Sequence, residues 1–301
     1  MSNIQYKFMD NQNKNYTVAR ESDGTIQITF TIPKELISEN QSKALEEMGK
    51  DVEVPGFRKG NAPIDKVKEN VPREKIVEKT LMGILPIMLS DVLKEEKIKP
   101  SIYPKFELIS SEDDQDWQVR ALMCEIVPFD LGDYKTQLKG LLNSSKIWTP
   151  DKIDEKEKEK EPTREEKEQK IVDFLLSTTD LTIPKILIDE EVNSRLSQLL
   201  ARIEKLGLTL DGYLSSIGKN PQSLRDEYAK QSESAIRVEL ILEKISSVEN
   251  LEIKESEIED AVRASSSDPK IQENLNSPDQ KRLIKTILLR RKALDFLLTL
   301  L

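Results

Sequence analysis

Hydrophobic and polar positions alternate in TVARES and TIQITFTI, within Tyr16–Pro33, and Ser22-Asp23-Gly24 between them supplies the residues of a tight turn. A β-hairpin is expected there. The period then lengthens. Pro33 opens KELISENQSKALEEMGK, where Leu36, Ile37, Ala44, Leu45 and Met48 recur at helical spacing. The stretch PGFRKG breaks this pattern as a glycine-flanked loop. A short helix is expected from Pro63, and a longer one from Pro72 to about Lys97, kinked at Pro86. KFELI and DWQVRALMCEIVP read as two more strands, the second long and two-faced. This order, closing near Pro128, predicts an α+β domain.

From about Asn143 to Glu168 the periodicity disappears into mixed-sign charge with no apolar face. That composition suits a solvated linker that turns helical near Thr163. The rest is helical: IVDFLLSTTDL closes one helix, and Pro184–Leu206 is a second, striped by Ile188, Val192, Leu196, Leu199, Leu200 and Ile203. Leu210–Ile217, Pro221–Asn250, Lys254–Ser265 and Asp279–Leu301 follow, with Asn-Pro, Asp-Pro and Ser-Pro at the joints. Pro221–Asn250 alone would extend roughly 45 Å, so long arms with partly uncovered apolar faces are expected. The fold class is an α+β domain followed by an all-α domain with long helical arms. Its segments are a flexible extension at 1–14, the α+β domain at 15–130, a linker at 131–162 and the helical domain at 163–301.

Composition narrows the chemistry. The 301 residues are 37% hydrophobic, 34% charged and 5% aromatic, with net charge −9 and no histidine. Lack of histidine removes His-based general bases, Ser-His and Cys-His pairs, and most zinc sites. Cys124, the one cysteine, reads as a small apolar strand residue in a reducing compartment. The start of the chain has no signal-peptide core, and the apolar runs Leu81–Leu93 and Ile284–Leu301 are too short or too charged to span a bilayer. A cytoplasmic location is expected. Glu165-Glu166 and Glu190-Glu191 point to different faces of a helix, with no third ligand. No P-loop, dinucleotide fingerprint or nucleophile elbow occurs. Neither a metal nor another cofactor is expected, and any release of a bound chain would be passive.

The loop is the most distinctive feature. Gly56-Phe57-Arg58-Lys59-Gly60-Asn61-Ala62-Pro63 resembles the G-F-R-x-G-x-x-P signature of trigger factor, the ribosome-associated chaperone family of bacteria. LTIPKILIDEEVNSRLSQLLARIEKLG and RDEYAKQSESAIRVELILEKISSVENLEIKESEIEDAV resemble the helical chaperone domain of that family. The resemblance implies docking at the ribosomal tunnel exit, on a ribosomal protein and nearby rRNA. Gly56, Phe57, Arg58, Lys59 and Gly60 would form the contact, with Lys50, Lys66 and Lys68 available to rRNA phosphates. Arg58 suits bidentate pairing, Phe57 adds apolar area, and the glycines permit a tight tip.

The resemblance further implies nascent or unfolded polypeptides as partners, no membrane, and a possible homodimer off the ribosome. Where the family carries an FKBP-like prolyl isomerase domain, this chain has only the charged segment at about 143–162, too short and polar for its own core. No isomerase activity is expected. SurA-type periplasmic chaperones resemble the helical part but lack the loop and require a signal peptide. Two alternatives stay open: a cytosolic holdase or assembly scaffold working without the ribosome, and an isomerase with an unrecognised site.

A surface for unfolded chains needs accessible apolar side chains interrupted by polar ones. The candidates are Leu196, Leu200, Ile203, Leu206, Leu208, Leu210, Tyr213, Leu214 and Ile217 on the first arm, with Ile236, Leu240 and Ile241 on the long helix. The same stripes are what a packed helical core requires, and that reading stays open for each. Met82, Met88 and Met123 read as core fillers. The tail Phe296–Leu301 reads as part of a packed helix, or alternatively as a dimer or client surface.

Overall fold

The computed structural model describes residues 14–144, 163–265 and 275–300. The expected N-terminal extension, apart from Lys14, and residues 145–162 of the expected linker lie outside the described residues, as does Leu301. The chain divides into two compact units, Met1–Ile126 with Pro184–Leu187, and Val127–Ile183 with Ile188–Leu301.

In the first unit four antiparallel strands lie in the order β1 (Tyr16–Arg20), β2 (Thr25–Ile32), β4 (Trp117–Cys124) and β3 (Lys105–Ser110). Asp23 organises the first turn, its carboxylate accepting from Thr25 N at 2.8 Å. Period-two patterning decides which face is dry. Ile26, Ile28, Phe30 and Ile32 of β2 are buried, opposite Met123, Ala121, Val119 and Trp117 of β4. Helices α1 (Lys34–Gly49) and α3 (Arg73–Glu95) supply the second layer, through Ile37 and through Val77, Ile84, Leu85, Leu89 and Val92. Each such side chain removed from water contributes roughly 2 kcal/mol. Cys124 is buried in this sheet, and burial, reinforced by the charge of Asp23, pushes its thiol up to about 11.

One expectation needs correction here. Met82 is 61% exposed on α3 and fills no core, whereas Met123 is buried and Met88 half-buried against the sheet. Helix α3 carries Pro86 inside it as part of one continuous element. Strand β3 lies at the edge of the covered region. Phe106 and Leu108 pair with Ala121 and Val119, yet both stay exposed, and Tyr103 just before them is 97% exposed.

The second unit is helical: α4 (Tyr134–Ser144), α5 (Arg164–Thr178), α6 (Lys185–Lys205), α7 (Leu210–Ser216), α8 (Pro221–Val248), α9 (Glu255–Ser265) and α10 (Pro278–Leu300). Helices α4, α5, α9, α10 and the C-terminal half of α8 form a body around Leu138, Ile171, Leu175, Ile241, Ile245 and Leu297. The α4 helix is a further correction, because the interval 131–162 was expected to be linker. Its repeat of Leu131, Tyr134 and Leu138, all buried, places it in the body. The Tyr134 hydroxyl donates to Glu249 at 2.6 Å, and Lys135 Nζ lies 2.7 Å from the same carboxylate and 5.7 Å above the Phe296 ring. Arg237 donates to the carbonyls of Leu176 and Thr179, at 3.0 and 2.8 Å, complementing the negative end of α5.

Candidate functional site

Two consecutive turns build the loop between α1 and helix α2 (Ile64–Asn70). Phe57 N donates to Val54 O at 3.0 Å across Pro55-Gly56, and Asn61 N donates to Arg58 O at 2.9 Å across Lys59-Gly60. In both, the third residue is glycine with φ of +85°. That conformation, preceded in the first turn by a proline with its φ preset, is the type II arrangement. A Cβ at Gly56 would meet nothing within 4 Å, so the glycine is required by backbone angle and not by space.

The stem below the turns is anchored. Val54 is buried with Leu45 of α1, Val67 of α2, Ile76 of α3 and Val71 between α2 and α3, and Val52 and Ala62 pack on the same cluster. At Gly49 the helices approach so closely that a Cβ would lie 3.1 Å from Val67. Hence the tip is mounted on a small three-helix core. Phe57, at that tip, is 43% exposed although its neighbours offer an apolar cluster to fold into.

The electrostatics single out one side chain. Between Lys50 and Lys68 stand five cations, Lys50, Arg58, Lys59, Lys66 and Lys68, against three carboxylates, Asp51, Glu53 and Asp65, in a chain of net charge −9. Lys66 Nζ lies 2.7 Å from Glu69, and that hydrogen bond raises its pKa; Lys59 Nζ lies 3.9 Å from Asp51. Both pairs are exposed and therefore weak. Among the described residues the Arg58 guanidinium has no ion pair and no hydrogen bond. The tip thus offers an uncommitted guanidinium beside an uncovered phenyl ring, a combination that fits a carboxylate or phosphate flanked by apolar area.

The other candidate surface lies in the second unit, where α6, α7 and the start of α8 form an arm. Its turns are set by caps. Leu208 N donates to Ile203 O beyond Gly207, Thr209 Oγ1 accepts from Gly212 N, and Lys219 N donates to Leu214 O beyond Gly218. Asn220 and Ser223 then form a reciprocal capping box at the start of α8. Leu199, Ile203, Leu214 and Leu224 are buried inside this tip, with Leu196, Tyr213 and Tyr228 half-buried against them.

Not every expected client residue is accessible. Ile203 and Leu214 are corrected from surface to core, as is Ile241 in the body, because each faces the seam between helices. Ile236 and Leu240 are half-buried. Leu200, Leu210 and Ile217 do face water, and so do Leu206 at 68% and Leu208 at 52%. In the tail, Leu297 is fully buried and Phe296 half-buried, as a packed helix requires. Among the described residues no helix is long and apolar enough to cross a membrane, and no acidic, histidine or cysteine cluster could hold a metal.

Comparison with known proteins agrees with this architecture. A family model described as bacterial trigger factor protein matches residues 14–161, and one described as bacterial trigger factor protein C-terminus matches residues 152–299. The trigger factor of Caldicellulosiruptor saccharolyticus is 29% identical over 147 residues, 47% of this chain and 33% of that protein. That of Streptococcus mutans is 32% identical over 129 residues, 43% of this chain and 30% of its own length. The matched stretch therefore spans about a third of these curated relatives. A solved structure, reported under promiscuous substrate recognition in folding and assembly activities of the trigger factor chaperone, superposes with a TM-score of 0.57 at 13% identity, over 95% of this chain and 99% of that one. With the two family models together running from residue 14 to residue 299, and the fold agreeing, the chain belongs to the bacterial trigger factor family.

Proposed function

We propose that this protein is an ATP-independent cytoplasmic chaperone that docks at the ribosomal tunnel exit through Gly56–Gly60 and holds nascent polypeptides on apolar helical surfaces. The loop carries the reading: Phe57 stands exposed on a rigid mount beside the unpaired Arg58. An aromatic anchor with a guanidinium is the composition of an interface hot spot, and the neighbouring cations make attachment salt-sensitive. The arm supports the holding role. Leu200, Leu206, Leu208, Leu210 and Ile217 surround a buried seam without joining it, interrupted by Lys205, Asp211 and Lys219. Such interruption limits self-association while leaving apolar area for a client. Self-association of the free chain into a homodimer belongs to the same reading.

Prolyl isomerisation is not part of the proposed activity. The two family matches overlap at residues 152–161, so they leave no interval between them for a further domain. The decisive measurement is co-sedimentation with ribosomes, comparing wild type with Phe57→Ala/Arg58→Ala/Lys59→Ala. The wild type should pellet in low salt and be released as salt rises, and the variant should stay in the supernatant. Equal pelleting of the two proteins would sink the docking role. A proline-peptide cis–trans assay should show no acceleration over the spontaneous rate.

A further inference from the structure

A second surface lies at the other end of α3. The helix closes with Lys97 at φ 54°, and Ile98 N donates to Leu93 O at 2.9 Å. This left-handed closure folds Ile98 back over Leu93. Pro86, Leu89, Leu93 and Ile98 thereby floor an open cleft of about 710 Å³, and Lys94, Lys97 and Lys99 stand around it. From Ile76, under the loop, to Leu93 the helix rises about 25 Å, so the cleft is separate from the docking loop.

Three carboxylates at this end of the helix are already engaged. Glu95 accepts from Lys14 Nζ and the Tyr16 hydroxyl, at 2.5 and 2.8 Å, and those bonds hold it below the ordinary carboxylate range. Glu96 accepts from the Tyr16 hydroxyl at 3.2 Å and faces Lys14 at 3.6 Å. Glu125 is held by Arg20 at 3.2 Å and by the backbone N of Lys99 at 2.6 Å. Asp91, one turn before Lys94, makes no ion pair with it. Among the described residues the ammonium groups of Lys94, Lys97 and Lys99 have no carboxylate partner. The helix dipole accounts for Lys94 and Lys97 near a C-terminus, but for neither Lys99 nor the apolar floor.

We propose that this cleft binds a short acidic peptide segment. Its large apolar side chains would sit against Pro86 and Leu93, the accessible part of a floor backed by the buried Leu89 and Ile98, and its carboxylates would pair with Lys94, Lys97 and Lys99. The volume is that of a small-ligand pocket and holds two or three side chains. Complementary charge steers and orients such a segment more than it tightens it. A nucleic acid would satisfy the lysines but not the floor, which has none of the aromatic platforms that bases stack on.

Fluorescence anisotropy on the full chain tests this, using a labelled peptide of two adjacent leucines flanked on each side by two glutamates. Binding should saturate and weaken with salt. The variant Lys94→Gln/Lys97→Gln/Lys99→Gln, with unchanged circular dichroism, should bind about tenfold more weakly, three exposed pairs being lost. Serines in place of the peptide leucines should weaken binding as much, and the loop variant should bind like wild type. Equal binding by the lysine variant, or by a peptide with lysines for glutamates, overturns the proposal. Displacement of the peptide by single-stranded RNA of equal charge reassigns the lysines to nucleic acid and overturns it too. So does a shift of the Leu93 and Ile98 methyl signals when residues 2–13 are deleted without peptide, which assigns the cleft to the chain itself.

Discussion

The central strands of the sheet and the arm of the helical unit carry the same kinds of side chain and treat them in opposite ways. On β2 and β4 the inward positions share one buried cluster with side chains of α1 and α3, and Ile28, Phe30, Ile32, Val119 and Ala121 are wholly removed from water. In the arm only a narrow seam closes, around Leu199, Ile203, Leu214 and Leu224, and the leucines on either side of it face solvent. The difference is one of layers. A sheet covered by helices has a dry face as wide as the strands it covers, whereas a few helices meeting without a second layer have only a contact line. Residue type therefore does not separate a stabilising leucine from a displayed one; the number of elements on the far side does.

Substitutions break this comparison in graded steps. Phe30→Ala, in the covered sheet, should cost about 4 kcal/mol of first-unit stability, read as a lower denaturation midpoint. Ile203→Ala, in the seam, should cost about 2–3 kcal/mol, with faster amide exchange confined to the arm, because its surroundings collapse more readily. An equal global loss from the two would show that the arm is no thinner than the sheet core.

In the body, Glu249→Gln removes a carboxylate that accepts from Tyr134 and Lys135, and should cost about 1–2 kcal/mol. The Lys135 and Tyr134 hydrogen bonds hold the Glu249 carboxyl below its ordinary range. A depressed folded-state pKa means that the stabilisation is present above the unfolded carboxylate value and disappears as pH falls through the folded one. Wild type and Glu249→Gln should therefore differ at neutral pH and converge in acid, in parallel thermal melts.

Gly56→Ala places a side chain where φ is +85° and should cost about 1 kcal/mol. Ribosome pelleting should weaken without any change of charge, and undiminished pelleting would show that the tip conformation is immaterial. The smallest effect on stability belongs to Leu206→Ser, within about 0.5 kcal/mol. It should nonetheless reduce suppression of client aggregation in a light-scattering assay, the reverse of the Ile203→Ala pattern.

Local chemistry made much of the architecture legible beforehand. The period-two strands, the Pro33, Pro63 and Pro72 helix starts and the capped helices of the second half depend on neighbours a few residues away, and they occur where the residues call for them. PGFRKG was legible for the same reason, since two Gly-containing turns need no distant partner. The α4 helix escaped because its apolar repeat, Leu131, Tyr134 and Leu138, adjoins a charged run that dominates any window drawn across both. Met82 escaped because a helical stripe does not state how much of it the sheet reaches.

Sequence by itself determined the element order apart from α4, the glycine-framed tip, the chemistry excluded by a chain without histidine, and the family. Tertiary structure alone decided that Ile203 and Leu214 close a seam while Leu206 and Leu208 remain displayed, that Phe57 stands clear of the cluster beneath it, and that Lys94, Lys97 and Lys99 surround an apolar cleft. Turns, caps and periodicity are short-range, written in adjacent residues. Exposure and charge pairing are set by what arrives from elsewhere in the chain.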